Sequence, residues 1–324
     1  MLPMNSRFRS PSPGQAARAV ELLGQEIASH LGQTDLRWLT CNERPYLYIP
    51  QHRPLACTPP TPKRRLFGDK PTPEFYEETT TLLINYLIGR FTPQVFFDIG
   101  AAKGYFARVA ASHCAHAPRV HAFEMQPHLH AQLSERLRDD AFGHKVTAHH
   151  AALTDRHYGE AAFWYARSRL FERRPEPADY CDAWWRRIRQ ALRGETKRDL
   201  QHTNGLMTSI DHVVQQTGDR PGLVKIDVEG YEGKVIAGGL ETFKRHKPFV
   251  ILELHRRKTL RFGTSRPDVA HLMFGLGYRA LLLTDHHDKT RCEVVEVTPH
   301  NPLLQRQETD LILFFHEDAL IAGR

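Results

Sequence analysis

The sequence predicts a doubly wound, largely parallel α/β sheet, and three observations point to it. Compact apolar runs of strand length (QVFFDIG, RVHAFE, KVTAHHAAL, GLVKIDV, PFVILEL) alternate with segments whose apolar residues recur at helical spacing. Carboxylates stand at or near the ends of several of these runs, beside the glycines and prolines that turn a strand into a helix. The chain has 324 residues, 41% hydrophobic and 25% charged, enough for a sizeable core and an accessory piece. Sheets of this class hold ligands at the carboxyl ends of their strands, so the strand ends are where chemistry is to be sought.

Taken in order, residues 13–32 (PGQAARAVELLGQEIASHLG) have helical apolar spacing and end in Gly32, which predicts an amphipathic helix. Between Pro45 and Pro73 prolines are frequent, and neither a helix nor a central strand tolerates them, so a linker or extended arm is expected. The predicted organisation is therefore an N-terminal helix and Pro-rich arm over 1–72, followed by the main domain over 73–324. That domain opens with the helix PEFYEETTTLLINYLIGR, the strand QVFFDIG and a helix from near Lys103 through YFARVAASH. RVHAFE is the second strand, Pro127 opens the helix PHLHAQLSERLRDD, and KVTAHHAAL is the third strand. AAFWY, at 161–165, reads as an added strand. Residues 167–205 read as an Arg-rich insertion with Trp184 and Trp185 on a helix. A short helix around SIDHVVQQTG then precedes the strand GLVKIDV, a single helix through GYEGKVIAGGLETFKRH and the strand PFVILEL. The helix PDVAHLMFGLG leads into the last strands, YRALLLT, CEVVEV and DLILFF.

The formal net charge of +7 is unevenly placed. Residues 1–70 hold ten Lys/Arg against five Asp/Glu, residues 167–200 hold ten against six, and the remainder is slightly acidic. A solvated basic surface is the plain reading; attraction of an anionic partner is the functional one. The five cysteines are scattered with no CxxC pair, which fits reduced, packed thiols. No segment approaches the roughly 18 continuous apolar residues of a spanning helix, and the first residues lack a secretory apolar run, so a cytoplasmic protein with no membrane span is expected.

Four motifs carry candidate chemistry. In FFDIGAAKGY, a strand leaves through Asp98 into a turn with Gly100 and Gly104 at a helix start, where the backbone can pass beneath a ligand. The DxGxxxG spacing, with its acid at the strand end, favours a nucleoside with a cationic tail, such as S-adenosylmethionine, over NAD. In HAFE, Glu124 ends the second strand about twenty residues later, where a carboxylate can bind both ribose hydroxyls; capping of the next helix is the alternative. In VKIDVEGYEG, Asp227 and Glu229 lie two apart and would share a face of a continuing strand. Gly230 would then start a helix in which Glu232 is an acidic first-turn residue without further function. In LELH, Glu253 and His255 share one side of the fifth strand, and His255 is a candidate base. Carboxylate and imidazole are also metal ligands, but with 20 histidines such neighbours arise cheaply, and no metal is assigned.

Together, FFDIGAAKGYFA, HAFEMQP, LVKIDVEGYEGKVIAGG and VILELH, in that order, resemble the FkbM family of S-adenosylmethionine-dependent methyltransferases. The resemblance covers roughly residues 73–315. It implies a class I methyltransferase (Rossmann-like) fold with about seven strands, the last, DLILFF, antiparallel. It assigns Asp98, Gly100, Ala102 and Gly104 to the cofactor turn, Glu124 to the ribose, and Asp227 with Glu229 to the active-site rim. It makes O-methylation of a sugar, glycan or natural product the default expectation. The insertion at 167–205 departs from the family pattern, as do His149, His150 and Ala151 where an asparagine is typical, which bears on the adenine contacts.

Methyl transfer needs the acceptor held in line behind the methyl group, and a hydroxyl acceptor also gains from a base. The ordered base candidates are Asp227, His255, Glu229 and Glu253. An NAD-linked oxidoreductase is the competing enzyme reading, and a noncatalytic methyltransferase-like module using its basic segments is the competing binding reading. A nucleic-acid partner is not expected. The acceptor is not legible, because one fold hosts many substrates.

Overall fold

The computed structural model describes residues 13–57, 75–166, 169–175, 200–255, 265–306 and 309–322. Strands β1 (Arg37–Cys41), β2 (Arg44–Tyr48) and β3 (Leu55–Ala56) form a small antiparallel sheet. The strands of the main sheet are β4 (Val95–Ile99), β5 (Arg119–Glu124), β6 (Val146–Leu153), β7 (Gly159–Ala166), β8 (Arg169–Phe171), β9 (Gln201–Thr208), β10 (Leu223–Ile226), β11 (Phe249–Leu254), β12 (Arg279–Leu283), β13 (Val294–Val297) and β14 (Asp310–Phe315). Among the described residues they form one eleven-stranded sheet in the order β13-β12-β14-β11-β10-β4-β5-β6-β9-β7-β8.

The middle of that sheet is the expected seven-stranded unit. Strands β6, β5, β4, β10 and β11 pair in parallel, and β14 is antiparallel to both β11 and β12. Chain order reverses between β4 and β10, which opens a crevice at their carboxyl ends. The sheet is wider than the expected seven strands. On one edge β13 adds to β12; on the other β9 adds in parallel to β6, and β7 and β8 follow antiparallel. AAFWY lies in β7 as predicted. Of the insertion, the described parts supply β8 and the start of β9, while Trp184 and Trp185 lie outside the described residues.

Burial on both faces explains why the central strands read as continuous apolar runs. Every residue of β4, β10 and β11 is buried, and alternate side chains enter opposite cores: Phe96 and Leu223 one, Phe97 and Val224 the other. Helix α1 (Pro13–Gln33) buries Val20, Leu23, Ile27 and Leu31 in the first of these cores, together with Leu82 and Leu83 of α2 (Glu78–Phe91). The prolines after residue 44 do not impose the expected linker throughout, because Pro45 occupies the second position of β2 and Pro50 and Pro54 fall between strands.

The chain continues through α3 (Tyr105–Ala111), α4 (Pro127–Arg138) and α5 (Ile210–Thr217). The single helix expected after β10 is two, α6 (Glu232–Ala237) and α7 (Leu240–His246). Gly238 and Gly239 separate them, and a Cβ on Gly238 would meet the carbonyl oxygen of Thr154 at 1.9 Å. Helices α8 (Arg266–Gly275) and α9 (Glu317–Ala322) complete the chain.

Candidate active site

The crevice has two walls. The first is the turn between β4 and α3. Gly100, at φ 82°, cannot be replaced without displacement, because its Cβ would lie 1.9 Å from the carbonyl oxygen of Asp227. The N–H groups of Gly100 and Ala101 both donate to the carbonyl of Phe123 on β5, at 3.0 Å each, and Asp227 N–H donates to Ile99 at 3.0 Å. The turn is thus held between β5 and β10 by backbone hydrogen bonds.

Glu124 closes this wall. Its Oε2 accepts from Ala102 N–H at 2.9 Å and its Oε1 from Gln126 N–H at 2.8 Å. Each oxygen keeps a further acceptor direction. Burial pushes the Glu124 carboxyl up to about 7, against those two backbone bonds. Asp98 pairs across the sheet with Lys225 and is fully buried, which pushes its carboxyl up to about 6. It stands behind the turn and does not line the cavity that the turn encloses.

That cavity is lined by Gly100 and Ala102, Glu124, and Asp227 and Glu229 from the opposite wall. Ala151, Ala152 and Leu153 of β6 form its side. His149 and His150 turn elsewhere: His149 Nε2 meets His121 Nδ1 at 2.9 Å, and His150 Nε2 meets the carbonyl of Met125 at 3.1 Å. A second cavity adjoins the first, sharing Tyr76, Gly100, Ala102 and Asp227 and adding Trp38, Phe75, Tyr105 and Phe106.

The second wall is built from side-chain charge. Lys225, buried over the Phe106 ring at 4.6 Å, donates to Asp227 Oδ2 at 3.3 Å. Burial alone would lower its pKa, but Asp227, Asp98, Glu77 and Glu253 outweigh burial and hold the ammonium charged. Burial would raise Asp227, but Lys225 and then His255 outweigh it, so this half-buried carboxyl sits below its ordinary value. Glu77, at the start of α2, is pushed up to about 7 by burial, with Lys225 opposing.

His255 is enclosed by carboxylates. Its Nδ1 meets Glu232 Oε1 at 2.8 Å, and its Nε2 meets Glu253 Oε1 at 3.3 Å, with Glu229 Oε2 at 4.0 Å. Burial lowers its pKa, but the bonds to Glu232 and Glu253 more than reverse this and carry it to about 10. It is therefore an imidazolium at neutral pH and has no lone pair with which to act as a base.

The structure brings Asp227, Glu253 and His255 to one place, with ligand-type atoms within 4.8 Å of one another. Asp227 and Glu229 face the cavity for a different reason from strand alternation. Strand β10 ends at Ile226, and Glu229 adopts a left-handed φ of 57°. Glu232, read from sequence as only the acidic start of a helix, is fully buried and is the main partner of His255; it also accepts from Gly230 N–H at 2.9 Å. Lys225, Glu77 and His286 were not singled out by motif. A lysine inside the apolar run LVKI was the readable signal for the first; nothing local marks the other two.

The strand order, the antiparallel β14 and a glycine turn facing a strand-end acid define a class I methyltransferase fold. The family model of the methyltransferase FkbM domain matches residues 98–280, just over half of the chain, and the protein belongs to that family of S-adenosylmethionine-dependent methyltransferases. No curated protein matches it. Among solved structures it is similar to methyltransferase FkbM from Methylobacillus flagellatus KT, at 16% identity and TM-score 0.41. That match covers 69% of this chain but only 44% of the other. It is also similar to a putative O-methyltransferase from Klebsiella pneumoniae (9% identity, TM-score 0.40, 95% and 92% covered). A third is the O-methyltransferase from Bacillus cereus in complex with SAH (10%, TM-score 0.39, 96% and 94%). Membership rests on the family match. Among the described residues no helix is long and apolar enough to cross a membrane.

The donor set fits S-adenosylmethionine. Gly100 leaves open a cradle that any Cβ would fill, Glu124 offers two acceptor oxygens, and the acidic second wall suits a cationic sulfonium and ammonium.

Proposed function

We propose that the protein methylates a hydroxyl group on a sugar, glycan or natural product. S-adenosylmethionine, when bound, supplies an electrophilic methyl on a sulfonium and departs as a neutral thioether. In this reading Glu124 accepts from the ribose hydroxyls, the turn from Gly100 to Gly104 seats the nucleoside, and Asp227 faces the cationic tail and the incoming acceptor.

The observation that carries the proposal is Asp227. It lines both cavities and is kept ionised by Lys225 and His255, so a negative charge stands where the two cavities meet. An acceptor hydroxyl oriented there gives its proton to this carboxylate as the oxygen takes the methyl group and the sulfonium's bonding pair returns to sulfur. His255, being protonated, supports Asp227 electrostatically rather than accepting the proton. Glu253 positions His255, and Glu229 completes the rim. Trp38, Phe75, Tyr105 and Phe106 offer flat apolar surfaces for a sugar or polyketide ring in the second cavity.

The test is transfer of labelled methyl from S-adenosylmethionine to separate panels of glycans, lipids and hydroxylated metabolites. The expected product carries the label in an alkali-stable ether, and Asp227→Asn lowers turnover by about 100-fold or more with cofactor still bound. Label on nitrogen or carbon, or an Asp227→Asn enzyme of full activity, would overturn the assignment.

A further inference from the structure

The loop that follows β12 brings His286 and His287 to the outer side of the second wall. His286 is fully buried, and neither of its ring nitrogens has a hydrogen-bond partner among the described residues. Its ring lies 4.0 Å from that of His287, centroid to centroid. Ligand-type atoms of Glu253, His286 and His287 all lie within 4.8 Å of one another. We propose that Glu253, His286 and His287 bind a divalent transition-metal ion of the zinc, cobalt or manganese type.

Three observations carry this. First, an imidazole buried with both nitrogens unmatched is costly, since a buried polar group without a partner has given up its hydration for nothing. A metal ion would take one nitrogen and relieve half of that cost. Second, the three side chains come from two separate chain segments and still converge closely enough to share one ion. Third, the set is mixed. Two imidazoles and one carboxylate suit a transition ion, whereas magnesium and calcium take oxygen ligands. His287 is exposed, so the site has a route to solvent.

The neighbouring cluster of Asp227, Glu253 and His255 is a poorer site, because both nitrogens of His255 are engaged by Glu232 and Glu253. Glu253 belongs to both clusters, however, so an ion on His286 and His287 sits next to the carboxylate group that faces the cavities. A cation there lowers the pKa of a hydroxyl that reaches it. That catalytic consequence rests on the methylation reading above; the binding does not.

The experiment uses the full chain, stripped with chelator and titrated with cobalt(II) by visible absorbance and with zinc(II) by calorimetry. One equivalent is expected to bind tightly and raise the melting temperature. His286→Ala and the isosteric Glu253→Gln should each weaken that event at least about tenfold. The affinity of His286→Ala for S-adenosylhomocysteine, which shares no contact residue with this site, should stay within about twofold, showing an intact fold. Wild-type protein that takes up no ion, or takes it up equally in both variants, overturns the proposal. Absence of methyl transfer with metal binding intact would sink the methylation reading and leave the metal site standing.

Discussion

The two walls of the crevice are made differently. The wall at the glycine turn is backbone: peptide N–H groups of residues 100 and 101 bonded to β5, with one strand-end carboxylate fixed by two more. The wall at β10 and β11 is side chain: Lys225 and protonated His255 set among Asp227, Glu229, Glu232 and Glu253. Backbone geometry tolerates almost no substitution but carries little charge. On the charged wall, Lys225, Asp227 and His255 each depend on their charged neighbours for their ionisation. One wall positions a ligand, and the other sets the potential it meets.

The sharpest way to break this contrast is Gly100→Ala. A methyl group 1.9 Å from the Asp227 carbonyl, at a left-handed φ, forces the walls apart. Loss of measurable S-adenosylhomocysteine binding by calorimetry is expected, whereas Gly104→Ala, whose Cβ meets only the tip of Leu133, should retain some.

On the charged wall, Glu232→Ala leaves a buried imidazolium without its closest partner and should cost about 3–5 kcal/mol in urea unfolding. The same pair sets a pH dependence. His255 is raised from 6.5 to about 10, so its contribution to stability is full below pH 6.5 and is lost as pH climbs through 10. Stability of the wild type should therefore decline across that window, and Glu232→Ala should flatten the decline.

The smallest effect belongs to Glu124→Gln, which keeps the shape and removes the charge. Losing a charge-assisted hydrogen bond of about 1.5–3 kcal/mol weakens cofactor affinity about 10- to 100-fold. Because the Glu124 carboxyl titrates near 7, wild-type affinity should rise as pH increases through 7, and the variant should show no such rise. An unchanged pH profile in Glu124→Gln would remove this residue from the ribose.

The same contrast explains what the sequence made legible. DIGAAKG and HAFE are local: a few adjacent residues specify strand end, turn and acid, and the structure places Gly100, Ala102 and Glu124 on one cavity, with Asp98 buried behind the turn. The charged wall is assembled across distance. His255 meets Glu232 from 23 residues away, and His286 arrives from the loop after β12, so neither relation leaves a trace in spacing. Glu232 was misread for this reason, since an acid at a helix start is ordinarily explained by the helix itself. The widened sheet escaped in the same way. Strand β9 pairs with β6 across the whole insertion, and alternation within QHTNGLMT does not say which partner it will choose.

The bonded turn has one more consequence. Its peptides are tied to β5 and β10 during folding, so the ordering entropy of the nucleoside seat is already lost before any ligand arrives. Association then costs little beyond the ligand's own freedom, and a molecule of the wrong outline is refused rather than accommodated. The turn acts as a rigid gauge, measuring the nucleoside before the charged wall comes into play.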